Sequence, residues 1–219
     1  MSTNANTPAD VDLNKIERAV WMRCYEDGLM EIFLGLMLLL MGSGSVFIET
    51  YGMSERSAII ILLVMATATF VLFYVGKRIV TFPRIGRVKF GPKGKARVRK
   101  TTIILSGSAL VGLLAFILAT MLHSGSITNL NPDLVLPLIW VINSVVVFGL
   151  WAWVAGIPRF FLIGILFALP LPLLIGLKEL ANFRIGYGAF GLPGLIVLLM
   201  GVVILARFIR KYPPLKEGR

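Results

Sequence analysis

The sequence predicts an all-α integral membrane protein: a six-transmembrane-helix bundle, preceded by an N-terminal amphipathic interfacial helix and interrupted by a basic cytoplasmic β-hairpin-like loop. Three observations predict it. The 219 residues are 57% hydrophobic and only 15% charged, with a mean hydropathy of +0.86, whereas soluble domains are about 45–50% apolar and about 25% charged. The apolar excess is gathered into runs of about 20 residues, the length of helix that crosses a bilayer core. The bases fall on one side of those runs, as the positive-inside rule requires. Together these exclude a soluble enzyme, a secreted disulfide scaffold and a disordered chain.

Residues 1–28 are read as a cytoplasmic N-terminal segment. Residues 1–7 are small and polar and predict a disordered start. Thr7-Pro8-Ala9-Asp10 reads as a helix start, with Thr7 as cap, Pro8 in the first turn and Asp10 at the positive helix end. Leu13, Ile16, Val20 and Cys24 follow at spacings of three or four, with Lys15, Arg18 and Arg23 between them. That spacing predicts an amphipathic helix on the membrane surface, with Trp21 and Tyr25 at headgroup depth. The first 28 residues also hold five acids. A cleavable signal would begin with a basic stretch instead, so the first apolar run is read as a retained helix.

Six spans are predicted, over residues 29–48, 57–76, 101–122, 134–158, 160–177 and 185–206. Only the first carries an acid, Glu31, near its start. The fourth is an uncharged run of 25 residues, long enough to require tilt or overhang. With the N-terminus inside, nineteen bases lie in inside segments and three (Arg56, Lys178 and Arg184) lie outside. This asymmetry predicts that both termini are cytoplasmic. A five-span arrangement would put the basic tail, residues 207–219, outside. The low charge and the absence of a predicted extracellular domain point to the cytoplasmic membrane of a prokaryote.

The loop at residues 77–100 holds ten bases and no acid. Arg87-Val88-Lys89-Phe90 and Arg97-Val98-Arg99 alternate base with apolar residue across the turn-rich Gly91-Pro92-Lys93-Gly94-Lys95, the pattern of a hairpin with one basic face. Arg87, Lys89, Lys93, Lys95, Arg97, Arg99 and Lys100 are therefore the candidate residues for binding lipid or a partner. Each base near an anionic surface contributes about 1 kcal/mol. The partners expected are membrane lipids with anionic headgroups, and beyond them a cytoplasmic protein or a second copy of the chain. Nucleic acid is not expected, because no aromatic stacking platform accompanies the bases.

Polar groups inside a membrane are expensive and mark candidate sites. Glu31 lies less than a turn from the cytoplasmic edge, at the predicted level of Arg159, and the two form a candidate pair. Asn143 and Ser144 fall towards the middle of the fourth span, and Thr67 and Thr69 towards the middle of the second. Pro170 and Pro172 interrupt the fifth, removing two backbone donors and freeing carbonyls one turn earlier. Such a break is either an ordinary kink or a substrate site of the kind transporters use. Gly191-Leu192-Pro193-Gly194 is a second point of predicted irregularity. Glu31, Arg159, Asn143, Pro170 and Pro172 together form the candidate intramembrane site.

Gly28, Gly35 and Gly42 repeat at seven residues, placing them on one stripe of the first span. Ser108, Gly112, Ala115 and Ala119 make a similar stripe on the third. Stripes of small residues allow close helix approach, within the chain or between copies. Catalysis is not expected. One cysteine, Cys24, and one histidine, His123, form neither a disulfide nor a Cys/His metal site. There is no H-E-x-x-H motif and no phosphate-binding loop, and Gly42-Ser43-Gly44-Ser45 lacks the G-x-S-G pattern of rhomboid proteases. No metal or cofactor is predicted. The function predicted is a non-catalytic accessory or scaffold protein acting through residues 77–100. The alternative is a small transporter or substrate-binding subunit with its site near Asn143 and the proline break.

Overall fold

A computed structural model describes residues 21–23, 25–85, 92–124, 131–181 and 186–213. Every regular element among them is a helix. The longest are α1 (Leu29–Glu49), α2 (Glu55–Gly76), α4 (Pro92–His123), α5 (Pro132–Ala155) and α8 (Gly186–Lys211). A π-helical segment, Lys77–Thr81, and a short α3 (Phe82–Ile85) continue α2 without interruption. The fifth span is divided into α6 (Arg159–Ala168) and α7 (Pro170–Ala181). Among the described residues six helical stretches are long and apolar enough to cross a membrane, as expected of a multi-pass membrane protein.

The helices form a curved row. α1 and α8 share the most extensive interface, α2 packs on the outer side of α1, and α6 and α7 pack on α8. α5 packs on α6, and α4 on α5. The ends of the row, α2 and α4, share no comparable contact. The core centres on Leu38, Phe160, Ile163 and Val197, all fully buried. Trp151 stacks on Phe160 at 4.6 Å between ring centres. By contrast, none of the apolar window of α4 is buried, and only 11% of that of α2. Ile60, Leu63 and Phe70 on α2, and Leu110, Leu114 and Phe116 on α4, are exposed, the surface expected of helices that face lipid.

The glycine stripe on α1 makes the central contact. A Cβ at Gly35 would come within 2.6 Å of the Leu198 backbone nitrogen and 2.9 Å of the Gly194 carbonyl oxygen. At Gly28 it would meet the Gly201 carbonyl at 2.4 Å, and at Gly42 the Phe190 Cβ at 2.9 Å. The partner positions Gly194 and Gly201 repeat at seven on α8, so two antiparallel glycine seams interlock. Without Cβ atoms the two backbones approach closely, and packing replaces the hydrophobic force that is absent between helices in lipid. The stripe on α4 behaves differently. Ser108 bonds to Asn143, but a Cβ at Gly112 would meet nothing within 4 Å.

Several boundaries differ from the sequence expectation. Residues 77–85 are helical, because nothing at Gly76 stops the helix. The π-helical turn sits just before Pro83, whose missing N–H interrupts the ordinary ladder. Arg84 Nη1 donates to the Val80 carbonyl there at 2.9 Å. Residues 92–100 are also helical, so Arg97-Val98-Arg99 is not a strand. Pro92 suits a first helical turn, and Lys95, Ala96, Arg97, Arg99 and Lys100 are good helix formers, which outweighs a three-residue alternation. The other half of the expected hairpin, with Arg87 and Lys89, lies outside the described residues. So does most of the expected interfacial helix; only residues 21–23 of it are described, as helix.

The fourth span stops at Ala155 instead of running to Pro158. Gly156 adopts φ +72°, and both its N–H and that of Ile157 return to the Ala152 carbonyl, at 2.9 and 3.0 Å. A left-handed glycine followed by proline is the usual helix stop. The expected irregularity at Gly191-Leu192-Pro193-Gly194 is absent: α8 runs through it, with Pro193 fully buried.

Candidate functional site

The polar chemistry concentrates at the end of the bundle where α1 begins and α8 ends. The segment Tyr25–Glu31 is the hub. Gly28 takes φ +72°, which turns the chain into α1, and Asp27 Oδ1 accepts from the Leu29 N–H at 3.1 Å. An acid at a helix start both satisfies an orphan donor and complements the helix dipole.

From this turn, neighbouring residues hold three different helices. Asp27 Oδ2 takes Lys77 Nζ at 2.6 Å and Thr81 Oγ1 at 2.5 Å, fixing the π-helical segment. Glu31 Oε1 pairs with Arg159 Nε at 2.5 Å, and Arg159 also donates to the Tyr25 carbonyl, fixing α6. Glu26 Oε2 accepts from Lys211 Nζ at 3.3 Å and Tyr212 Oη at 3.1 Å, fixing the end of α8. Asp27 and Glu31 are completely buried. Buried charges of this kind are tolerated only when paired.

The Glu31–Arg159 contact follows the sequence expectation. Asp27 does not: it reads in sequence as one of several N-terminal acids, while Lys77 reads as one base among ten. The one available signal was an acid directly before a glycine at the start of a span.

Arg78, Lys95, Arg99 and Lys100 are exposed, and Arg97 is half-buried. Among the described residues none of these five is in an ion pair. The side chain of Lys93 lies outside the described set, as do Arg87 and Lys89. No acid occurs between Glu55 and Asp133, and the nearby acids Glu26, Asp27 and Glu31 are already paired. Among the described residues, this end of the bundle is therefore left with positive charge that no acid pairs.

Of the candidate intramembrane residues, Glu31 and Arg159 meet; Asn143 and the two prolines make their contacts elsewhere. Asn143 Nδ2 donates to Ser108 Oγ at 3.1 Å, joining α4 to α5. Thr67 and Thr69 bond to the carbonyls of Leu63 and Met65 on their own helix. Pro170 is buried and Pro172 exposed. The chain breaks at Leu169, and the Phe167 carbonyl at that break accepts from Trp140 Nε1 at 2.6 Å. A neighbouring helix thus satisfies a backbone group at the kink, as lipid-embedded breaks require.

A cleft of about 310 Å³ lies between the two ends of the helix row, at the basic end. One wall carries Phe73, Lys77 and Thr81, and the other carries Thr101 and Leu105. Trp21, Tyr25 and Trp151 also line it. Thr101 Oγ1 and Trp151 Nε1 are buried without a hydrogen-bond partner among the described residues. Among those residues no group of three or more His, Cys, Asp or Glu side chains is placed to hold a metal. No family model, curated protein or solved structure matches the chain.

Proposed function

We propose that the protein is a non-catalytic accessory or scaffold protein of the cytoplasmic membrane of a prokaryote, binding anionic lipid through the basic segment 77–100 at its cytoplasmic face. The observation that carries this reading is how the charge at that end is divided. Among the described residues, the acids Asp27, Glu31 and Glu26 pair with Lys77, Arg159 and Lys211, while Lys95, Arg99 and Lys100 are exposed and in no ion pair. Anionic headgroups are the abundant counter-charge at such a surface. Both termini share this face in the proposed orientation.

The alternative, a transporter or substrate-binding subunit, has less support. The Asn143 amide is engaged by Ser108, and the carbonyl at the proline break by Trp140.

The test replaces Lys95, Arg99 and Lys100 together by Gln. Patches of native membrane excised with a polymer are then analysed for lipid. The unaltered protein is expected to be enriched in anionic lipid over the bulk membrane. At about 1 kcal/mol per base, the triple variant should bind roughly a hundredfold more weakly and lose the enrichment. Equal enrichment in both proteins would overturn the proposal.

A further inference from the structure

We infer that the cleft between α2 and α4 is a specific site for one anionic phospholipid, entered sideways from the bilayer. This rests on the lipid-binding reading and gives it a location. Arg97, Thr101 and Leu105 are spaced by four residues, so they form one stripe along α4. Thr101 and Leu105 line the cleft, and Arg97 stands one turn beyond them towards the basic end, half-buried.

Read along the stripe, the order is cation, hydroxyl, apolar side chain. An anionic phospholipid has the same order: phosphate, ester, acyl chain. The opposite wall supplies Phe73 for the chain. Its Lys77 is already committed to Asp27, which leaves Arg97 as the cation for the phosphate.

The second observation is independent of charge. Among the described residues Thr101 Oγ1 and Trp151 Nε1 are buried with no partner. Indole nitrogen only donates, and a hydroxyl donates or accepts. Both groups belong to residues that line the cleft, and an acceptor oxygen that reached them as a lipid parts the walls would relieve the cost of an unpaired buried donor. Ester carbonyls supply such acceptors at the depth where headgroup meets chain. The volume, about 310 Å³, lies at the lower end of ligand pockets, which suits part of one chain with its ester.

The experiment is native mass spectrometry of the whole protein in mild detergent, titrated with dioleoyl phosphatidylglycerol and with dioleoyl phosphatidylcholine. One phosphatidylglycerol is expected to be retained in preference to phosphatidylcholine. Thr101→Val keeps the side-chain shape, so the fold survives, and should weaken retention of that lipid about threefold to tenfold. Arg97→Gln should abolish the preference between the two lipids. Leu105→Trp, which fills the cleft, should remove the retained lipid. Undiminished retention in Thr101→Val and Leu105→Trp overturns the inference. If that lipid is instead lost on replacing Lys95, Arg99 and Lys100 by Gln, the surface reading stands without the cleft. Equal retention of both lipids by the unaltered protein also overturns the inference. Retention of neither overturns both readings.

Discussion

Replacing Gly35 by Ala adds one methyl group to the α1–α8 seam, and the structure gives its consequence. The new Cβ would stand 2.6 Å from the Leu198 nitrogen, 2.8 Å from its Cα and 2.9 Å from the Gly194 oxygen. All three are backbone atoms, so no side chain can rotate away. Restoring an ordinary 3.4 Å contact requires the helices to part by about 0.8 Å. That separation loosens dispersion contacts along the whole seam. Overpacking of this kind costs about 1–3 kcal/mol, offset by up to about 1 kcal/mol of improved helix propensity. Gly112→Ala is the matched comparison, because its Cβ meets nothing within 4 Å and only the propensity gain remains. The assay is unfolding in mixed micelles with increasing sodium dodecyl sulfate, followed by tryptophan fluorescence. Gly35→Ala should unfold at clearly lower denaturant than the parent, and Gly112→Ala at the same or higher. A Gly35→Ala protein as stable as Gly112→Ala would refute the packing argument.

Two further predictions concern the hub. Glu31→Gln leaves Arg159 beside a neutral amide, and Arg159→Gln leaves a completely buried carboxylate unpaired. Each should cost about 3–5 kcal/mol, and the double variant should cost less than the sum of the two; strict additivity in a double-mutant cycle would show that the pair is not coupled. Asp27→Asn removes the charge that holds both Lys77 and Thr81, so amide hydrogen exchange at residues 77–81 should accelerate while the core helices keep their protection. Unchanged exchange there would deny Asp27 its anchoring role.

What the sequence made legible follows from the reach of each signal. Hydropathy acts over whole spans, so six membrane-length helices could be read directly. The seven-residue repeat of Gly28, Gly35 and Gly42 places all three on one face of any helix, so the seam could be read, although not that Gly194 and Gly201 receive it. Glu31 and Arg159 could be paired because the topology put them at one depth. Asp27 and Lys77 could not, since fifty positions separate them and no periodicity connects them. The stretch 97–99 misleads because three alternating residues fit a strand as well as a helix turn. The longer stripe Arg97–Thr101–Leu105 is the helical pattern, and it becomes informative only once the helix is seen to start at Pro92. The cleft is a property of two helix ends that do not meet, and no local pattern encodes it.

The central claim is that the basic end of this bundle holds anionic lipid. Its most direct test is the mass of the intact protein extracted in mild detergent with its native lipids. Stoichiometric anionic phospholipid, and no other small molecule, is expected on the chain. A stoichiometric non-lipid ligand, retained while anionic lipid is absent, would contradict it and favour the transporter reading.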